Sequence, residues 1–177
     1  AALRHGISPD MAYVCEGAFQ LGTMRLRCWN TYGHGEIALR KAIEQSCNAF
    51  FCHLGHTIGY PKVYEEARRL GLGTPTGIDL PSEAGGLLPT GAWKEKQMRD
   101  AWRPGDTCQI SIGQGLLLTT PLQMAMLTSV FANGGTVFRP HLVRRAGLPE
   151  TLNEMEWPPE AIALVRGGMH DVAELGT

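Results

Sequence analysis

Long hydrophobic runs are missing from this sequence: no apolar stretch approaches the roughly 20 residues that cross a bilayer, and no signal peptide is visible. An excess of one charge is missing too. Lys and Arg number 16 against 17 Asp and Glu, a net charge of −1, so there is no electrostatic case for nucleic acid or a membrane surface as partner. There is no internal repeat and no low-complexity tract. Gly113 and Gly115 lack the third glycine and following lysine of a phosphate loop, and Asp79 and Glu83, four apart in a proline-containing turn, make a poor acid–base pair. What remains is 177 residues with an ordinary 44% hydrophobic fraction, enough for one domain with a real core. The chain has no initiator Met and opens on Ala1-Ala2-Leu3, the apparent tail of a helix ended by Gly6, so it is expected to be an internal piece of something longer.

Periodicity and punctuation divide the chain into three expected parts. Residues 1–35 carry turn residues and little apolar periodicity, and read as a loop-rich segment with at most short strands. Residues 36–135 read as a helical subdomain. Ile37, Ala38, Ala42 and Ile43 fit a helix over 36–45, and a second helix follows Asn48 and ends near Gly55 or Gly59. A third runs from Pro61 to Gly71. Residues 73–91 are dense in Gly and Pro and read as an irregular excursion. Thr120-Pro121 opens the clearest helix, expected to bury Leu122, Ala125, Met126, Ser129 and Val130 before Asn133-Gly134-Gly135 ends it. Residues 136–177 read as a short strand over 136–140 and a last helix from Pro158 to about Val172. The expected fold class is mainly α with a few short strands.

The chemistry-bearing tripeptide is Ser46-Cys47-Asn48, between two expected helices. The run from Gly33 to Gln45 precedes it, and Ala49-Phe50-Phe51 follows. Further on come Gly71-Leu72-Gly73, Thr76-Gly77-Ile78-Asp79-Leu80-Pro81, Gly105-Asp106-Thr107, Ile112-Gly113-Gln114-Gly115 and Thr120-Pro121-Leu122-Gln123. In this order and spacing, the series resembles the transpeptidase domain of class B penicillin-binding proteins, most closely the elongation type, over roughly residues 1–145. The resemblance implies the helical part of the α+β penicillin-binding-protein (serine β-lactamase-like) fold. It also implies a serine D,D-transpeptidase that cross-links peptidoglycan stem peptides and is acylated by β-lactams. Its parent would sit at the periplasmic face of the inner membrane, with a membrane glycan polymerase of the shape, elongation, division and sporulation class as partner.

Such enzymes use three convergent motifs, Ser-x-x-Lys, Ser-x-Asn and Lys-Thr-Gly. The serine of the first must lose its proton to attack an amide carbonyl, and a nearby amine activates it. By resemblance Ser46 relays a proton to the departing D-alanine and orients the lysine, while Asn48 hydrogen-bonds that lysine and the donor peptide. Alternation along an extended loop would point Ser46 and Asn48 one way and Cys47 the other. The plain alternative is an interhelical turn in which Ser46 caps the second helix. Neither Ser-x-x-Lys nor Lys-Thr-Gly occurs in the sequence, so this stretch is expected to lie between them and not to be catalytic alone.

Five cysteines is a large and odd number for an extracytoplasmic domain. Cys15, Cys28, His34 and Cys47 make a soft ligand set suited to tetrahedral zinc, although their separations match no zinc finger. A closed metal site would order residues 7–35, which have little apolar periodicity to hold them. The resemblance adds that a zinc can sit beside the Ser-x-Asn loop, held by a His and a Cys equivalent to His34 and Cys47, with carboxylates as the other two ligands. A Cys15–Cys28 disulfide is the alternative. Cys52 and Cys108 read as small buried hydrophobes.

Gln114 is a candidate to satisfy buried backbone groups, and Lys94, Lys96 and Arg99 between Trp93 and Trp102 read as a solvated helix face. Two other functions compete: a serine β-lactamase or β-lactam sensor, and a non-catalytic, zinc-stabilised module. Because the family's helical half packs on a sheet, exposed apolar surface and poor solubility are expected of the piece alone.

Overall fold

The computed structural model describes residues 1–143, 147 and 149–176. After a single turn of 3-10 helix over Leu3–His5, the chain forms β1 (Tyr13–Cys15), β2 (Ala18–Leu21), β3 (Met24–Arg27) and β4 (Gly35–Ile37). Helices α1 (Leu39–Glu44), α2 (Asn48–Ile58), α3 (Tyr60–Arg69), α4 (Gly91–Met98), α5 (Pro104–Ser111) and α6 (Pro121–Asn133) follow. The chain closes with β5 (Thr136–Phe138), β6 (Thr151–Glu154) and α7 (Pro159–Leu175). Three separate two-stranded antiparallel ribbons result: β1 with β4, β2 with β3, and β5 with β6. None has the three strands that independent stability requires, so helices and side-chain clusters must hold them.

Two compact units emerge. The first comprises Ala1–Val63, Arg103–Gly115 and the segment from Pro158 onward. Its core is built of small and sulfur-bearing side chains: Ala42, Cys47, Ala49, Cys52 and Cys108 are fully buried, with Phe50 at 1% exposure. Small residues there let α2 lie close to α5. At Gly55 an added Cβ would stand 1.8 Å from the Ser111 hydroxyl, so only glycine permits the approach. Helix α1 packs on α7 through a two-pronged ion pair, with Arg40 Nε 2.6 Å and Nη2 2.9 Å from the Asp171 carboxylate.

The second unit comprises Tyr64–Trp102 and Leu116–Trp157. Leu70, Met126, Val130, Val137 and Met155 form its core. Trp157 stacks on Phe131 at 5.0 Å and donates from Nε1 to buried Glu66 at 3.2 Å. Gln123, 2% exposed, ties the irregular excursion to α6. Its Oε1 accepts from the Thr120 backbone N–H (2.9 Å) while the Thr120 hydroxyl accepts from the Gln123 N–H (3.2 Å), a reciprocal helix cap. Its Nε2 donates to the carbonyls of Thr74 (2.8 Å) and Gly85 (2.9 Å), with that of Gly71 at 3.3 Å.

Several sequence expectations need correction. Helix α1 begins at Leu39, because Glu36 and Ile37 are taken by pairing with Val14 and Tyr13. The buried face of α6 is Gln123, Met126 and Val130; Ala125 and Ser129 are exposed. Gln114 is exposed, and the backbone-satisfying role belongs to Gln123. Lys94 is not solvated: it is buried at 4%, 2.8 Å from Asp100 and donating to the Ala101 carbonyl. Helix α5 and strand β6 had no clear periodic signal. The block Gly105-Asp106-Thr107 is now explained as the first turn of α5, where the Asp106 carboxylate accepts the Arg103 N–H at 2.7 Å.

Candidate catalytic turn and metal centre

Helix α1 ends in a left-handed cap. The Ser46 N–H donates to the Ile43 carbonyl (3.1 Å) and the Cys47 N–H to the Ala42 carbonyl (3.0 Å), the pair of bonds that closes a Schellman motif. The motif needs a residue in the left-handed region at its hinge, ordinarily glycine, and here that residue is Ser46 with φ +49°. A serine in that conformation is strained, and such strain persists only where surrounding contacts impose it. Cys47, with φ −74° and ψ 102°, then caps α2: its Sγ accepts the Phe50 N–H at 3.4 Å. Asn48 is the first residue of α2. Ser46 is thus not the cap, and the tripeptide is not an extended strand. The result nevertheless separates the side chains as expected, with Ser46 exposed, Cys47 fully buried and Asn48 between. The side chains of Ser46 and Asn48 make no hydrogen bond among the described residues, leaving both open to other partners.

Beneath this turn, Cys15, Cys28, His34 and Cys47 each offer one ligand atom, and all four atoms lie within 4.8 Å of one another. Cys28 Sγ is 3.6 Å from His34 Nδ1 and 3.9 Å from Cys47 Sγ. A tetrahedron with zinc–sulfur bonds of about 2.3 Å and zinc–nitrogen bonds of about 2.05 Å has edges of about 3.8 Å and 3.6 Å. The set therefore fits a tetrahedral thiolate–imidazole metal. All five cysteines are free thiols, so the Cys15–Cys28 disulfide is not what the structure contains.

Local backbone features bring these distant residues together. Cys15 ends β1 opposite Gly35, and the Cys28 N–H donates to the Gly17 carbonyl at 2.9 Å. Between Cys28 and His34 the chain turns on Asn30, whose side chain accepts the Tyr32 N–H (3.1 Å) and donates to the Gly33 carbonyl (2.8 Å). Gly33 has φ +86°, and a Cβ there would stand 2.1 Å from the Cys15 carbonyl oxygen. No other residue fits so close to β1. The sequence reading passed over Gly33 as part of a motif, and over Trp29 altogether; their signal was a Trp-Asn-x-x-Gly turn between two ligand candidates.

Electrostatics prepares the cluster unequally. Burial opposes ionisation of Cys28, but backbone N–H groups of Ala49, Asn48 and Asn30 aimed at its sulfur outweigh that and lower its pKa. Burial pushes Cys47 up to about 12; the Phe50 N–H pulls it down, and neighbouring Cys15 and Cys28 raise it further. A cation among the four would favour thiolates throughout. Burial also lowers the pKa of His34, keeping its imidazole neutral as ligation requires. Through the Phe50 N–H, which donates to Cys47 Sγ, the sulfur cluster holds the first turn of α2, which carries Asn48.

The family model for the penicillin-binding-protein transpeptidase domain matches residues 1–177. The chain belongs to that family. Over 120 residues it is 41% identical to the peptidoglycan D,D-transpeptidase MrdA of Acinetobacter baumannii, an alignment covering 68% of the chain and 18% of the relative. Penicillin-binding protein 2 of Pseudomonas aeruginosa, solved in complex with WCK 5153, superposes with a TM-score of 0.91 at 33% identity, covering 98% of this chain and 40% of that one. A chain of a peptidoglycan synthase complex that coordinates polymerization and crosslinking superposes with a TM-score of 0.82 at 32% identity, covering 98% and 30%. The chain therefore spans about a fifth of the length of the curated transpeptidase it matches. Among penicillin-binding proteins it is of the elongation type, and its seven described helices and short strands are the helical part of the transpeptidase fold.

Proposed function

We propose that this chain is the Ser-x-Asn-bearing part of a peptidoglycan D,D-transpeptidase. The observation that carries the reading is the strained, exposed Ser46 beside Asn48, both projecting from a turn fixed by a Schellman cap and a buried sulfur cluster. In the parent, the serine of a Ser-x-x-Lys motif attacks the carbonyl of the penultimate D-alanine of a stem peptide. The bond to the terminal D-alanine breaks, leaving an acyl-enzyme. The Ser46 hydroxyl passes a proton to the departing amine and takes one from the motif's lysine. Asn48 bonds the same lysine through its carbonyl oxygen and the donor peptide through its amide. An acceptor amine on a second stem peptide then displaces the serine, completing the cross-link. β-Lactams acylate the same serine.

Cys15, Cys28, His34 and Cys47 would hold zinc. With four protein ligands the ion has no open position, so its contribution is structural. The chain's own residues do the positioning: the backbone amides of Asn48 and Ala49 favour the Cys28 thiolate, and Cys47 caps α2 by accepting the Phe50 N–H.

The parent is proposed to act at the periplasmic face of the inner membrane, with a membrane glycan polymerase as partner. Likeness to a chain of a complex coordinating polymerization with crosslinking supports that partnership. The transpeptidase relatives favour it over a β-lactamase or a β-lactam sensor. The test is labelling of the full-length parent with a fluorescent penicillin and peptide mapping. A label on a serine upstream of Ala1, reduced when Ser46 or Asn48 is replaced by Ala, is expected. No label on a folded, zinc-loaded parent would move the reading to a non-catalytic module.

A further inference from the structure

We propose that Trp29 is a positioning residue for Ser46, acting by locking the peptide plane between Gln45 and Ser46. This rests on the role given above to Ser46.

Trp29 sits between two ligand candidates, Cys28 and His34, yet 53% of its surface is exposed. Its indole Nε1–H donates to the Gln45 carbonyl at 2.8 Å. Gln45 is the C-cap of α1, and its carbonyl is among those a helix end leaves without an internal partner. Its peptide partner nitrogen is that of Ser46, which donates to the Ile43 carbonyl at 3.1 Å. Both sides of one peptide unit are thus held, the oxygen by Trp29 and the N–H by α1.

That unit is where the strain of Ser46 would escape. Rotating the plane by about 180° changes ψ of Gln45 and φ of Ser46 together, and would carry φ of Ser46 from +49° to about −130°, out of the left-handed range that favours glycine. The rotation would turn the Ser46 N–H away from the Ile43 carbonyl and open the helix cap from which Ser46 and Asn48 project. The helix cap resists from the N–H side alone; the indole adds the restraint on the carbonyl side. The ring is oriented in turn by His34, whose imidazole it meets edge-on at 5.3 Å and 66°. A ligand of the metal cluster, a half-exposed indole, one carbonyl and the strained serine form a continuous chain of contacts.

The test is Trp29→Phe in the full-length, zinc-loaded parent, which keeps an aromatic ring beside His34 and removes the N–H together with the five-membered ring that carries it. Loss of one hydrogen bond worth about 1 kcal/mol corresponds to a roughly fivefold drop in acylation rate by fluorescent penicillin. In cross-linking assays kcat should fall by a similar factor with KM unchanged. Zinc content should stay at the wild-type value, and the melting midpoint should fall by no more than the few degrees that one hydrogen bond is worth. An unchanged acylation rate overturns the proposal. So does a slow variant that has also lost zinc, since that is a packing role. A wild-type parent that takes up no label fails the transpeptidase reading itself, and the proposal with it.

Discussion

Cys28 Sγ lies 3.9 Å from Cys47 Sγ, bridging the loop after β3 to the cap of α2. That separation matches the edge of a tetrahedral thiolate site, and it joins the ribbon-rich start of the chain to the turn carrying Ser46 and Asn48. Replacing Cys28 by Ser should therefore reduce zinc in the purified parent from one equivalent to less than half. It should also slow penicillin acylation, because the cap of α2 loses the sulfur contact between Cys28 and Cys47. Metal analysis beside labelling kinetics checks both; a variant that keeps full zinc would refute the ligand set.

The five thiols should divide sharply in reactivity. Burial pushes Cys52 up to about 12 and raises Cys108, and each sulfur faces the other residue's carbonyl at 3.7 Å. In native protein treated with a chelator, iodoacetamide should modify Cys28 first, whose thiolate the backbone favours, and leave Cys52 and Cys108 untouched. Mass mapping that finds Cys52 modified early would contradict this.

Gly33→Ala should be among the most damaging single-methyl changes in the chain. It combines a left-handed conformation with a Cβ placed 2.1 Å from the Cys15 carbonyl. β1 must move, taking Cys15 with it, at a cost of about 3 kcal/mol or more. Expected outcomes are a lower melting midpoint and loss of stoichiometric zinc.

Glu83 gives the excursion a pH dependence. Burial would raise its pKa, but the Thr76 hydroxyl (2.6 Å) and the N–H groups of Thr76 (2.7 Å) and Gly77 (2.9 Å) hold it below the ordinary carboxylate value. A depressed folded pKa adds stability that is present above the unfolded value and lost as pH falls through the folded one. The melting difference between wild type and Glu83→Gln should be largest near neutrality and shrink below about pH 4. A difference independent of pH would exclude the ionised cap.

Gln123→Leu removes the donor to the Thr74 and Gly85 carbonyls and the acceptor for the Thr120 N–H. The three hydrogen bonds are part-buried and worth about 1 kcal/mol each, so denaturant unfolding should register a loss of about 2 to 4 kcal/mol. Gln123→Ala should behave alike, because the loss is of hydrogen bonds more than of volume.

Much of this was legible in the residues. The helix after Asn48 ends before Gly59, α6 opens at Thr120-Pro121, and the four soft side chains singled out by ligand chemistry and a family resemblance converge. Elements governed by non-local pairing were less so. Strand β6 exists because it pairs with β5, and β4 took residues that helical periodicity had given to α1. Gln114 and Gln123 look alike in sequence; only the second has three carbonyls arranged around it. The exposed Leu142, Val143 and Tyr32 agree with the expectation of uncovered apolar surface.

By itself the sequence determined the residue types, their order and the caps, because helix starts and stops are local chemistry and ligand preference belongs to the side chain. Tertiary structure decided that Cys15 and Cys47 share one cluster, that Ser46 is held with a positive φ, and that an indole reaches the Gln45 carbonyl. Those depend on where separate stretches of chain meet, and the close approach that Gly33 allows has no counterpart in any local pattern.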